Sequence, residues 1–185
     1  MHTLILNGSP HTDGNTMTLV HALTANLPGD CTVIHCYETA IAPCTDCRAC
    51  RTRSGCVIKD EMQTVYPLLE QCDNLVIASP VYYASLTGRL LDVISRFQCY
   101  DSAKRFRHAE TAVRPKRGAA ILTCGGSGGE SYVYRTSAII LRELGAKEVY
   151  PLICSSHTDT VPASADDDVL AQIRLASDWL GEHSK

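Results

Sequence analysis

The chain has 185 residues, of which 45% are hydrophobic and 20% charged, with a net charge of −3. That composition suits one globular domain with a full core, excludes a disordered or fibrous protein, and argues against a nucleic-acid partner. No apolar run exceeds four residues, far short of the roughly 20 that cross a bilayer, and no secretory pattern opens the chain, so no membrane contact and a cytoplasmic setting are expected.

The chain begins with Leu4-Ile5-Leu6, a short run of the kind buried on both faces of a parallel sheet. Next come Asn7-Gly8-Ser9-Pro10-His11-Thr12-Asp13-Gly14-Asn15-Thr16 and a helical stripe of Leu19, Val20, Leu23 and Leu27, which Pro28-Gly29 stops. This motif has neither the lysine of a P-loop nor the G-x-G-x-x-G fingerprint. It offers hydroxyls at Ser9, Thr12 and Thr16, an amide at Asn15 and free N–H groups at a helix start, all suited to a phosphate. An ordinary capped helix is the alternative reading.

After a second strand at Val33-Ile34, residues 38–59 are too many for a simple turn. They carry Cys44-x2-Cys47-x2-Cys50-x5-Cys56, and the chain holds ten cysteines, about 5% of its residues. Without a secretory signal this points to metal or redox chemistry rather than a disulfide framework. Closely spaced thiolates suit a [4Fe-4S] cluster or zinc; an empty thiol loop and a disulfide remain as readings. The loop is expected at the same end of the sheet as the first motif.

Met62, Val65, Leu69 and Cys72 read as a helix with Pro67 inside it, which predicts a kink or a late start. A third strand, Leu75 to Ala78, runs into Ser79-Pro80-Val81-Tyr82-Tyr83-Ala84-Ser85-Leu86-Thr87-Gly88. Ligands of open α/β sheets sit beyond the carboxyl ends of strands at the switch point, so this motif and the first converge on one crevice. Tyr82 or Tyr83 would offer a face to a flat ring there, or would simply pack the strand end. Leu86, Leu90, Val93, Ile94 and Phe97 make the next helix, and Cys99 ends it. Residues 99–116 form a second long loop containing Lys104, Arg105, Arg107, His108, Arg114, Lys116 and Arg117, either a steering patch for a nicotinamide cofactor or a solvated face.

A fourth strand, Ala119 to Leu122, leads into Thr123-Cys124-Gly125-Gly126-Ser127-Gly128-Gly129-Glu130, where four glycines in five residues let the backbone approach a ligand. A helix ending at Ile139, Ile140 and Leu144 and a fifth strand from Val149 to Ile153 follow. The last helix opens with Ser164-Ala165-Asp166-Asp167 and carries Val169, Ile173, Ala176 and Leu180. Cys31, Cys36, Cys72 and Cys154 fall in or beside core elements and read as small hydrophobes, while Cys124 stands in the third ligand loop. The alternation predicts an α/β fold, a doubly wound five-stranded parallel sheet of order 2-1-3-4-5 flanked by helices. Residues 1–185 are expected to make one domain, with the cysteine-rich loop at about 40–59.

Asn-Gly-Ser-Pro at 7–10, Gly-Asn-Thr at 14–16 and Ser-Pro-Val-Tyr-Tyr at 79–83 resemble the flavodoxin-like NADPH-dependent FMN reductase family, including its iron-sulfur flavoprotein branch, from Leu4 to about Leu152. The resemblance implies that Ser9, His11, Asn15 and Thr16 hold the FMN phosphate. It implies that Pro80, Val81, Tyr82, Tyr83 and the loop from Thr123 through Gly125 and Gly126 line the isoalloxazine and ribityl chain. His11 stands where arginine is common and lacks its fixed charge and fork of donors. The cysteine spacing resembles the compact motif of iron-sulfur flavoproteins, with Cys44, Cys47, Cys50 and Cys56 as ligands of a [4Fe-4S] cluster. By resemblance the protein is an oxidoreductase that moves electrons from NAD(P)H through FMN to a quinone, flavin or other small-molecule acceptor. The alternative is an iron-sulfur electron carrier to a redox partner protein. The hard chemistry belongs to the flavin, so no catalytic side chain is required. A homodimer or homotetramer is implied by the family.

Overall fold

A computed structural model describes residues 1–110 and 112–182; Thr111, inside the second long loop of the sequence reading, lies outside the described residues. Five strands lie in the expected order, with β2 (Asp30–His35), β1 (His2–Asn7), β3 (Asn74–Pro80), β4 (Lys116–Thr123) and β5 (Ala146–Val149) paired in parallel. The helices α1 (Asn15–Thr24), α2 (Met62–Gln71), α3 (Gly88–Ser95), α5 (Glu130–Glu143) and α6 (Asp167–Gly181) follow their strands in turn.

Side-chain alternation along the strands divides the apolar residues between two cores. Leu4, Leu6, Leu75, Ile77 and Leu122 pack on one face with Met62, Val65 and Leu69 of α2, Leu90 and Val93 of α3, and Val133 and Leu141 of α5. Ile5, Val76, Ala78, Ala119 and Ile121 pack on the other with Met17, Val20 and Leu23 of α1 and Val169, Ile173 and Leu180 of α6. Both faces of the sheet are therefore covered, which is why these strands read as continuous apolar runs. Among the described residues no helix is long and apolar enough to cross a membrane.

The structure corrects several expectations. The fifth strand is two short ones, β5 and β6 (Ile153–Ser155), both paired to β4. The residues between them include Pro151, which has no N–H to give the ladder, while Tyr150 still donates its N–H to Gly118 O at 2.8 Å. The second long loop contains a helix, α4 (Gln98–Phe106), so Cys99 opens a helix rather than ending one. Its buried residues are Cys99, Ser102 and Ala103, too small and polar to print an apolar stripe. On α5 the buried positions are Val133, Ser137, Ala138 and Leu141, while Ile139 faces solvent.

The last helix starts two residues later than Ser164 suggests, because Asp166 is its cap and accepts from Val169 N at 3.1 Å. Pro67 sits inside α2, which starts at Met62 as the apolar spacing requires. It lies on the exposed side, where water can satisfy the carbonyl it leaves unpaired.

Gly8, just past β1, has no room for a side chain: a Cβ there would lie 2.7 Å from Thr87 Oγ1 and 2.8 Å from Leu90 Cδ2. Gly8→Ala is therefore expected to cost about 2 kcal/mol in denaturant unfolding through overpacking. Unchanged stability would show that α3 is free to move away.

Candidate functional site

The loop after β1 is held from both sides. Gly8 N donates to Ala78 O and Thr87 Oγ1 donates to Gly8 O, each at 2.8 Å. Ser9 is buried, with its N–H on Asn7 Oδ1 at 2.9 Å and its hydroxyl bonded to the His11 backbone at 3.1 Å. Its side chain thus shapes the loop, while His11 is exposed.

Asn15 and Thr16 stand at the start of α1, but their side chains already have partners. Asn15 Oδ1 accepts from Ala163 N at 2.9 Å, Asn15 Nδ2 donates to Thr158 O at 3.4 Å, and Thr16 Oγ1 shares a 2.8 Å bond with Thr123 Oγ1. The anion-binding groups this leaves are the first-turn amides of α1, whose cap, Gly14, contributes no side-chain hydrogen bond. Such amides lack intrahelical acceptors and carry the positive end of the helix dipole.

The loop after β3 is bound to the loop after β4. Pro80 pairs with Thr123 in register, and Val81 N donates to Thr123 O at 2.8 Å. Tyr82 and Ser85 exchange backbone bonds of 3.0 and 2.9 Å around a tight turn, with Tyr83 at φ 49° and Ala84 at φ 54°. Two successive non-glycine residues in the left-handed region cost on the order of 1 kcal/mol each, and here the turn sets Tyr83 wholly into solvent. Gly129 lies under this turn at φ 89°, where a Cβ would come within 2.9 Å of Ala84 Cβ.

The sequence reading missed a fourth wall, the loop after β6. His157 N donates to Gly126 O at 2.9 Å and Thr158 N to Cys124 O at 3.0 Å, while a Cβ on Gly125 would fall 2.3 Å from Asp159 Oδ2. Gly126 itself opens on free space. No motif marks this segment, because it contributes through backbone groups and one packed carboxylate.

Cys44, Cys47, Cys50 and Cys56 line a single pocket of about 90 Å³ together with Cys99 and Arg96. The chain runs from β2 along α3, with Arg89 donating to Thr39 O at 2.8 Å and Ile41 O at 3.3 Å, and Cys44 N donating to Ser95 Oγ at 2.9 Å. The thiol pocket thus lies beside the carboxyl-terminal end of α3, next to Ser95 and Arg96. Cys44 and Cys47 are exposed, Cys50 and Cys56 half-buried. Among the described residues no group of three or more His, Cys, Asp or Glu side chains is set around a metal position.

Arg96 organises this pocket from a position only 1% exposed. Its Nη1 donates to Asp60 Oδ2 at 2.5 Å and Ala42 O at 2.8 Å, and its Nη2 to Asp60 Oδ1 and Ile58 O, both at 3.2 Å. Its Nε is buried without a hydrogen-bond partner. Burial would raise the Cys56 thiol, but the Ile58 N–H, the neighbouring Arg96 guanidinium and the Tyr66 hydroxyl outweigh it and hold Cys56 below the usual thiol range. Cys99 in the same pocket is pushed up to about 11, chiefly by burial.

The basic segment is split between two places. Lys116 Nζ donates to Leu69 O at 2.6 Å, Arg114 Nη1 to Gln71 O at 2.9 Å, and Arg117 Nη1 to Glu182 O at 2.7 Å, all at the amino end of β4 and away from the loops. Lys104, Arg105 and Arg107 lie at the end of α4 or just beyond it, with Arg107 Nε on Cys50 O at 3.1 Å. The segment therefore forms no single nucleotide-steering patch: its first half rides on the end of α4, unseen in the sequence, and its second half leads into β4.

Residues 1–159 match the NADPH-dependent FMN reductase family. An iron-sulfur flavoprotein of Archaeoglobus fulgidus is 27% identical over 166 residues, covering 88% of this chain and 71% of that protein. An iron-sulfur flavoprotein of Methanosarcina thermophila is 34% identical over 87 residues, 47% of this chain and 42% of that one. Among solved structures, an NAD(P)H:quinone oxidoreductase from Methanothermobacter marburgensis superposes with a TM-score of 0.78 at 16% identity, covering 100% of this chain and 99% of that one. That likeness shows the flavodoxin-like fold.

The Arg96–Asp60 pair yields a pH dependence. Burial would raise the Asp60 carboxyl, but hydrogen bonds from Arg96 and from the Ala42 and Met62 amides hold it below the usual carboxylate range. A depressed carboxyl stabilises the fold above its unfolded-state value, and this stabilisation is lost as the pH falls through the folded one. Asp60→Asn should therefore cost about 3 kcal/mol in unfolding experiments at pH 7, with the difference narrowing in acid. An equal difference at every pH would contradict the pairing.

Proposed function

The chain belongs to the NADPH-dependent FMN reductase family and is an FMN-dependent oxidoreductase; on that premise we propose that it passes electrons from NAD(P)H to a quinone, free flavin or other small acceptor in the crevice of the three loops. The observation that carries this site is the mutual bonding of the loops after β1, β3 and β4 beside an α1 terminus without a side-chain cap. FMN, when bound, supplies the hydride and electron chemistry.

The chain's own residues bind and orient. The first-turn amides of α1 and the loop shaped by Ser9 receive the phosphate, and His11 adds a donor where an arginine is common in relatives. Pro80, Val81, Tyr82 and Tyr83 line the ring; Thr123, Gly125 and Gly126 line the ring edge and ribityl chain, and Gly126 has the open space this needs. Asn15 and Thr16 act by fixing Ala163 and Thr123 in place. Residues 1–185 make one domain in this reading, since α6, beyond the family match, packs in the same core as α1. The exposed rings of Tyr82, Tyr83 and Tyr132 around the crevice support a homodimer or homotetramer that closes it.

A second reading, an iron-sulfur flavoprotein that carries electrons to a partner protein, is favoured by the four motif thiols on one pocket. The donor set fits a [4Fe-4S] cluster: four soft sulfurs, and in Arg96 a buried cation with one N–H unspent. Cys44, Cys47, Cys50 and Cys56 would hold it, and Arg96 would offset its negative charge.

Anaerobically purified protein with added FMN should oxidise NAD(P)H in the presence of a soluble quinone. Bound flavin with no turnover by any small acceptor, and about four irons per chain lost in Cys47→Ser, would favour the carrier. Gly14→Asp tests the phosphate assignment. A carboxylate at the cap stabilises α1 yet repels phosphate, so FMN affinity should fall about tenfold while the melting temperature holds or rises. Unchanged affinity would remove the site from α1.

A further inference from the structure

Cys124, one residue past β4, and Cys154, within β6, lie with their sulfurs 4.0 Å apart. Nothing in the proposed function uses them. Ser156 Oγ lies 3.5 Å from Cys124 Sγ and 3.9 Å from Cys154 Sγ, and Cys124 Sγ also contacts Gly126 O at 3.2 Å. The Glu130 charge also bears on Cys154, and its Oε2 is buried with no hydrogen bond. Cys124 is 7% exposed and Cys154 half-buried, so the pair is shielded from large reagents but open to small ones.

We propose that Cys124 and Cys154 are a redox-active dithiol, closed to a disulfide by hydrogen peroxide and reopened by thiol reductants. One thiolate attacks a peroxide oxygen; the O–O bond breaks, hydroxide leaves, and that sulfur becomes a sulfenic acid. The second thiol then displaces the sulfenic oxygen as water, forming the S–S bond. Overall two thiols and one peroxide give one disulfide and two waters. The proton of the second thiol leaves with that oxygen. That thiol is Cys154, which burial and the neighbouring Cys124 push up to about 12, so it attacks as a thiol losing its proton.

The register makes the bond demand a movement. Leu122 pairs with Cys154 across the parallel strands, so Cys124 stands two residues further along, with Cα atoms about 8 Å apart. This is beyond the roughly 7 Å that a disulfide spans without backbone movement. Cys124 lies one residue past β4 and precedes Gly125 and Gly126, so the loop can supply the shift. Closure would thus pull on the third loop of the crevice, a consequence that rests on the proposed flavin site; the bond itself does not.

The test is a peptide map of flavin-free, full-length protein treated with hydrogen peroxide. Trypsin places Cys124 alone in peptide 118–135 and Cys154 alone in peptide 148–174. The expected result is these two peptides linked, two hydrogens lighter than their sum, and separated again by dithiothreitol. Cys154→Ser should leave Cys124 as a sulfenic acid that dimedone traps; should that variant fail to fold, the map of the unaltered protein decides alone. Peptides that stay unlinked while the exposed Cys44 and Cys47 oxidise, or a Cys124 linked elsewhere, would overturn the proposal. FMN titration of the same preparation reports separately on the flavin site.

Discussion

The close approach of Gly8 to Thr87 and Leu90 is the constraint on which the carboxyl edge of the sheet depends. It brings the end of β1 against the start of α3, and hydrogen bonds from Gly8 to Ala78 and from Thr87 to Gly8 lock that contact. With the first loop fixed there, α1 begins at a set distance from β4, and Thr16 reaches Thr123. Thr123 in turn receives Val81, which places the strained turn at Tyr83. The crevice is therefore built by a chain of backbone contacts that starts at a position no side chain can occupy.

The cysteine loop is organised by a separate interaction, the buried guanidinium of Arg96. One side chain ties Ala42, Ile58 and Asp60 together, on both sides of the thiols, so that a long excursion keeps a defined shape without a core of its own. An ion pair of this kind adds little net stability against an apolar alternative, but removing one partner leaves a buried charge exposed to nothing. Specifying the loop's shape is thus its main contribution.

The strands were legible because burial on both faces leaves uninterrupted apolar runs, as at Leu4-Ile5-Leu6 and Leu75 to Ala78. The same criterion failed at Val149 to Ile153, where apolar residues flank a proline that breaks the ladder. Helix α4 left no trace, since its buried positions are Cys99, Ser102 and Ala103. At the crevice the motifs marked the segments that the fold brings together but could not give the partners: Asn15 bonds a residue 148 positions away and Thr16 one 107 away. Arg96 was visible as a residue, yet its role rests on carbonyls at Ala42 and Ile58, which any sequence supplies. Asp159 was missed for the complementary reason, that it meets the backbone of Gly125 from a loop with no pattern.

The central claim is that a phosphate at the α1 terminus and a ring among the three loops are recognised together. Equilibrium titration of the flavin-free protein with FMN and with riboflavin, which lacks the phosphate, tests it most directly. The account predicts one FMN bound per chain and riboflavin weaker by on the order of 100-fold, the contribution of a helix-terminus phosphate site. Equal affinity for the two, or no binding of either, would contradict it.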